Sequence, residues 1–200
     1  KIGHAGTLDP IASGLLIVLI GRATKSQSEV MGSDKIYRCR LRFGLRTDTA
    51  DITGQIIEEF KSPPPSADKL NEILSQLTQE RLQVPPMYSA IKRDGVPLYK
   101  LARKGETVER KPRPISIRWI EPLGTEGDEA SFRVSCSSGT YLRSLVERIG
   151  ERAGTGATMT GLVRESVGRF RLENAVSGEV LKTWDLERIL QSFVPVHHPN

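Results

Sequence analysis

The densest chemistry in the chain lies near its start, in Gly3-His4-Ala5-Gly6-Thr7-Leu8-Asp9-Pro10 followed by Ile11-Ala12-Ser13-Gly14. A residue before proline is pushed out of the right-handed helical region, so Asp9 presents its carboxylate from an extended or turn backbone. Such a pair can also be a plain Asx-turn or helix opening, with Pro10 at the first helical position. The glycines argue for more. Backbone without Cβ lets a ligand come close, and a carboxylate held in such a loop can serve as nucleophile or base.

Other chemistries lack their parts. Neither a Gly-x-x-x-x-Gly-Lys-Ser/Thr loop nor a Rossmann fingerprint occurs, which argues against NTP use. A Ser-His-Asp hydrolase needs a histidine, and only His4, His197 and His198 exist, the last two in a terminal tail. A two-carboxylate glycosidase would have to enlist Asp48 or Asp51, and nothing in their spacing supports it. Two cysteines, Cys39 and Cys136, build neither a disulfide framework nor a zinc site and fit a reducing, cytoplasmic setting. The longest apolar run, Leu15 to Ile20, is far short of a membrane span, so the chain reads as soluble.

Charge is unevenly spread over the 200 residues, whose formal net is +5. Lys92 to Arg118 holds nine basic and three acidic residues, a local +6, and the remaining 173 residues sum to −1. A patch of that kind attracts a polyanion such as nucleic acid, although a solvated basic loop has the same composition.

The elements that must position these groups follow from periodicity. Gly3 to Gly14 reads as a loop and Leu15 to Ile20 as a strand buried on both faces. Arg22 to Met31 suits a short helix. Ile36 to Phe43 alternates, with Tyr37, Cys39, Leu41 and Phe43 inward and a basic outer face of Arg38, Arg40 and Arg42. Asp48 to Gly54 is a turn and Gln55 to Phe60 the returning strand of a hairpin. Ser66 caps a helix with Leu70, Ile73, Leu74 and Leu77 on one stripe. Tyr88 and Tyr99 stand among lysines and arginines in an exposed excursion. Pro114 to Leu123 and Ala130 to Cys136 are strands, a helix carries Leu142, Leu145 and Ile149 up to Gly150 or Gly154, and Trp184 to Phe193 forms a final helix. Hairpins with helices between them indicate an α+β domain with a mixed, mostly antiparallel sheet.

Six ordered motifs over nearly the whole chain resemble the TruB family of tRNA pseudouridine synthases, which act on uridine 55 of the T loop. The first is the Asp9 loop with Ala12-Ser13-Gly14-Leu15-Leu16. It is followed by Asp34-Lys35-Ile36-Tyr37, by Arg46-Thr47-Asp48-Thr49-Ala50-Asp51-Ile52-Thr53-Gly54, and by Pro85-Pro86-Met87-Tyr88-Ser89-Ala90-Ile91-Lys92 running on to Gly105. Cys136-Ser137-Ser138-Gly139-Thr140-Tyr141-Leu142-Arg143 and Gly156 to Arg164 complete the set.

The resemblance implies a pseudouridine synthase core with the excursion, about 85–113, gripping RNA. Asp9 falls on the catalytic aspartate that starts breakage of the uridine N-glycosidic bond, by attack on sugar or base or by taking a sugar proton. Tyr37 matches the tyrosine that stacks on the target base, and an aromatic plane suits a flipped base, although it also fits an apolar face. Arg143 matches the arginine that pairs with the aspartate; near a helix N-terminus a cation is mildly disfavoured, which by itself hints at a partner elsewhere. Leu162 falls on the leucine that walls the uracil site, with core packing the plain alternative. His4 matches the histidine that fills the place of the flipped base. Asp48 and Asp51 are implied to order the rim, with Asp48 a second partner for Arg143. Lys25, Lys92, Arg103 and Lys104 would hold phosphates, and Tyr99 would stack or pack. No cofactor or metal is implied; the partner is the tRNA T arm and the state a monomer.

Three departures stand beside the match. A preceding strand, Lys-Pro segment and helix are expected in the family, as is a small C-terminal RNA-binding module, and the chain reads as truncated at its start. Val163 replaces the first arginine of a Leu-Arg-Arg run, which leaves Arg164 and predicts weaker local RNA contact. Two rival readings stay open: an RNA-binding module or tRNA chaperone without catalysis, and a guide-RNA-dependent synthase, against which the long Tyr88 to Gly105 segment speaks.

Overall fold

A computed structural model describes residues 1–89, 91–93 and 95–195. The first part runs β1 (Ile2–His4), β2 (Ala12–Gly14), β3 (Val18–Ile20), a 3-10 turn (Gly21–Ser26), α1 (Gln27–Gly32), β4 (Lys35–Phe43), β5 (Leu45–Thr47), β6 (Ile56–Glu59) and α2 (Ala67–Leu77). The excursion holds β7 (Leu82–Gln83), β8 (Lys92–Arg93), β9 (Val96–Pro97), α3 (Leu98–Ala102) and β10 (Arg113–Pro114). Then come β11 (Ile117–Glu126), β12 (Glu129–Cys136), α4 (Leu142–Ala153), β13 (Ala157–Val167), β14 (Phe170–Arg171), α5 (Gly178–Leu181) and α6 (Leu186–Gln191).

The main sheet has the order β11-β12-β4-β13-β14, antiparallel throughout, and β2 joins β13 in parallel. This is the mixed, mostly antiparallel sheet expected. The alternation in β4 turns Cys39, Leu41 and Phe43 onto a core shared with Phe132 and Val134 of β12. That face is covered by α2 and α4. Ser66 caps α2 by accepting from Lys69 N–H, and all four stripe residues are buried. α4 buries Leu142, Leu145 and Ile149 and ends on Gly154, whose φ of +71° is the left-handed closure that glycine allows. The basic outer face of β4 is neutralised across strands: Arg42 pairs with Asp128, Arg38 with Glu165 and Arg40 with Glu129.

Three expected elements differ from the structure, the first being the helix over Arg22–Met31, which is a 3-10 turn over Gly21–Ser26 followed by the short helix α1. The strand expected over Leu15–Ile20 is confined to Val18–Ile20; Leu19 is buried, but Leu16, Val18 and Ile20 are exposed, since β3 pairs only with β1 and buries one face. The Gly3–Gly14 loop is shorter than expected, because β1 and β2 take its ends. β13, eleven residues at the centre of the sheet, was legible only as a family motif. It buries Thr158, Arg164 and Ser166 among its apolar residues, which hides any alternation. His197 and His198 lie outside the described residues, and no described helix is long and apolar enough to cross a membrane.

Candidate active site

The segment from Ala5 to Ile11 leaves β1 and returns as β2, and Asp9 sits midway, its carbonyl accepting from Ala12 N–H at 2.8 Å. The turn directs the Asp9 side chain toward the start of α4. There Arg143 donates from Nε to Asp9 Oδ2 at 2.9 Å. Its other two nitrogens are also used, Nη2 on the Tyr88 carbonyl at 2.8 Å and Nη1 on the Thr49 carbonyl at 3.3 Å. The Arg143 side chain is 6% exposed and that of Asp9 38%. A buried guanidinium is tolerable only when its donors meet oxygens, and here one carboxylate and two carbonyls fill the fork.

Arg143 is the second residue of α4. A cation at that end is disfavoured by the helix dipole, whereas a carboxylate is favoured by about 0.3–1 kcal/mol, so the helix terminus and the guanidinium both draw Asp9 to this spot. The start of α4 is itself held. Gln83, buried on β7, donates from Nε2 to the Tyr141 carbonyl at 3.1 Å and accepts from Tyr141 N–H at 2.8 Å.

The second carboxylate near Arg143 is Asp51, at 4.0 Å, and it is buried. Asp51 is held by Thr49 Oγ1 and by Thr53 N–H, both at 3.0 Å, and Thr53 Oγ1. Asp48, expected as that partner, is exposed and accepts instead from Gln55 N–H at 2.8 Å, closing the β5–β6 hairpin. The turn Asp48-Thr49-Ala50-Asp51 rotates one carboxylate outward and the other inward, which spacing alone does not decide.

Tyr37 is half-buried on β4, packs on the core, and its hydroxyl is pushed up to about 12, chiefly by burial, with Arg164 and Asp9 among the charges near it. Leu162 is buried on β13, level with Cys39 on one side and Ala12 on the other, so it packs directly behind the Asp9 loop. Tyr141 was not singled out from sequence. Burial raises its hydroxyl above the ordinary value, and Ser89, Arg113, Arg143 and Asp9 are close enough to act on it. Arg164 is not an RNA contact: at 2% exposure it points under the Asp9 loop.

The remaining expected residues lie outside this cluster. His4 is exposed on β1, opposite Val18, and its carbonyl is tied by Gln27. Lys25 is exposed in the 3-10 turn. Lys92 and Lys104 are exposed on the excursion, and Arg103 lies 5.6 Å over the ring of Tyr99 on α3. The cation and the aromatic there brace each other.

A loop-borne carboxylate thus sits on a buried arginine, with Tyr37 and Leu162 on the paired strands β4 and β13 of a mixed sheet. The family model of the TruB family pseudouridylate synthase N-terminal domain matches residues 1–142. The tRNA pseudouridine synthase B of Stutzerimonas stutzeri (strain A1501) is 46% identical over 182 residues, 91% of this chain and 59% of the relative. That of Bordetella avium (strain 197N) is 45% identical over 184 residues, 91% of this chain and 75% of the relative. Of solved structures, a Cbf5-Nop10-Gar1 complex superposes with TM-score 0.67 at 29% identity, covering 90% of this chain and 44% of that one. An H/ACA RNP bound to a substrate RNA containing 2'-deoxyuridine gives TM-score 0.62 at 25% identity, covering 88% of this chain and 42% of that one. This chain belongs to the TruB family of pseudouridylate synthases.

Proposed function

We propose that residues 1–200 form the catalytic domain of a tRNA pseudouridine synthase that isomerises uridine 55 in the T loop. The observation that carries this reading is the 2.9 Å pairing of Asp9 with a buried Arg143 beside Tyr37 and Leu162. Atoms balance without a co-reactant: the N1–C1′ bond breaks, the uracil turns, a C5–C1′ bond forms, C5 loses its proton and N1 gains one. The Asp9 carboxylate initiates this by attack on C1′, by attack on the base or by removing a sugar proton. All three use a carboxylate that Arg143 holds in one orientation. Tyr37 stacks on the flipped base and Leu162 walls it, while the detached uracil must stay enclosed.

The basic excursion grips the backbone of the T arm through Lys92, Arg103 and Lys104, joined by Lys25 near the Asp9 loop. His4 takes the place vacated by the flipped base, and Asp48 orders the rim from its hairpin. The protein works as a monomer in the cytoplasm, and the partner is tRNA. Identity of 45–46% to the tRNA pseudouridine synthase B relatives, against 29% to the Cbf5 structure, favours a stand-alone enzyme over a guide-RNA-dependent one.

The test is pseudouridine formation on a synthetic T-arm stem-loop, read by carbodiimide modification and primer extension, for the chain and its Asp9→Ala variant. Product from the parent alone, with RNA affinity kept by the variant, is the expected result. Tight, salt-dependent binding with no product from either would leave an RNA-binding module instead.

A further inference from the structure

Arg164, on the central strand β13, is 2% exposed, as deep as the apolar core. Its guanidinium faces carbonyl oxygens: Nε donates to Leu15 at 2.8 Å, Nη2 to Gly6 at 3.1 Å and Nη1 to Thr7 at 3.3 Å. Gly6 and Thr7 precede Asp9, and Leu15 follows the end of the loop. The backbone of Arg164 completes the attachment, accepting from Leu15 N–H at 2.8 Å while Ala12–Gly14 pairs alongside Leu162–Arg164. Arg164 also stands directly across from Tyr37 in the β13–β4 ladder, with its charge close to the Tyr37 hydroxyl. A buried cation with no carboxylate beside it is costly even when carbonyls satisfy its donors, and a methionine of similar length would suit the core better. What the guanidinium achieves and an apolar side chain cannot is to tie both ends of one loop to the central strand.

We infer that Arg164 is the positioning residue of the site: its guanidinium holds both ends of the Asp9 loop on β13, directly across from Tyr37 on β4, and so sets where the Asp9 carboxylate stands relative to the base. This rests on the reaction proposed above. Thr7 is two residues from Asp9, so a shift of its carbonyl reaches the carboxylate almost undiminished. Misplacement by about 1 Å costs about 100-fold in rate. Lysine keeps the charge, but its single nitrogen cannot span carbonyls arranged around a planar fork.

The experiment compares the full chain with Arg164→Lys and Arg164→Met. Turnover on the T-arm stem-loop and RNA affinity are measured together with amide hydrogen exchange of the free protein. For Arg164→Lys, kcat falls about 100-fold with KM and RNA Kd within about twofold. Exchange accelerates over residues 5–15 while β4 and β12 keep their protection. Arg164→Met shows the same pattern or a larger one. Wild-type kcat in Arg164→Lys overturns the inference. So does a parallel change of kcat and KM with faster exchange throughout the sheet, or loss of cooperative unfolding, since either makes the residue a determinant of the fold alone. If the parent forms no pseudouridine, the proposed reaction fails on its own account. The exchange pattern then still decides whether Arg164 clamps the loop.

Discussion

Substituting Gly14 by alanine would test how closely the Asp9 loop must approach the central strand. Gly14 has φ +101°, and a Cβ there would stand 2.5 Å from the carbonyl oxygen of Arg164, 2.8 Å from its nitrogen and 3.1 Å from its carbonyl carbon. These are backbone atoms in the middle of the sheet, so no side chain can rotate out of the way. Ordinary contact begins near 3.4 Å, and reaching it from 2.5 Å requires β2 to lift by about 0.9 Å. The backbone strain adds about 1–3 kcal/mol. At about 2–4 °C per kcal/mol for a chain of this size, Tm falls by about 2–12 °C. The displacement moves the Asp9 loop off β13 by close to the distance that costs about 100-fold in turnover. Gly127→Ala is the control: φ is +59°, between β11 and β12, with nothing within 4 Å of the added Cβ. It should lower Tm through strain and leave T-arm turnover untouched. Equal turnover in Gly14→Ala, Gly127→Ala and the parent, with similar Tm losses, would refute the argument that this close approach sets the position of Asp9.

The remaining predictions concern the supports of the site, the excursion and the core. Gln83→Ala leaves the Tyr141 N–H and carbonyl without their paired partner, at about 1–3 kcal/mol for each buried group, so urea unfolding should show a loss of about 2 kcal/mol or more. An unchanged urea midpoint would mean that the start of α4 is held by packing alone. Alanine at Lys92, Arg103 or Lys104 should each lower the slope of log affinity against log salt for T-arm RNA by about 1 if that residue contacts a phosphate. A slope identical to the parent's removes it from the interface. Burial pushes the Cys136 thiol up to about 12 and Cys39 higher still, from an ordinary value of 9.0. The unfolded chain therefore loses these protons first, and the contribution to stability is complete below pH 9 and shrinks as pH rises toward 12. Each thiol should cost about 1.4 kcal/mol per pH unit above its unfolded pKa, and urea midpoints at pH 8, 9 and 10 in reducing buffer should slope less in Cys39→Ala/Cys136→Ala.

Part of this molecule is readable from neighbours along the chain. The α2 stripe, its Ser66 cap and the inward row of β4 follow from periods of 3.6 and 2, and the structure carries all of them. The Asp9-Pro10 loop declares itself through glycine placement, and the ordered motifs tie it to a family. The outer arginines of β4 show the limit of such reasoning, since the period places them outward but does not say that Asp128 in the turn before β12, Glu129 on β12 and Glu165 on β13 oppose them.

What closes the site is decided elsewhere. Arg143 meets Asp9 across 134 residues, and only the seating of α4 on the sheet, fixed by Leu145 and Ile149 and by the Gln83 clamp, brings the two together. The choice of Asp51 over Asp48 depends on the rotation of one turn, where Thr49 and Thr53 hydroxyls take Asp51 inward. Arg164 carries a charge into the centre of the sheet, contrary to every local pattern, and its partners at Gly6 and Thr7 stand 158 and 157 residues away. Local periodicity reports which side of an element meets the core. Which polar group waits on the far side of that core is a property of long-range packing, because a buried charge is stable only where the whole fold has brought the oxygens that satisfy it.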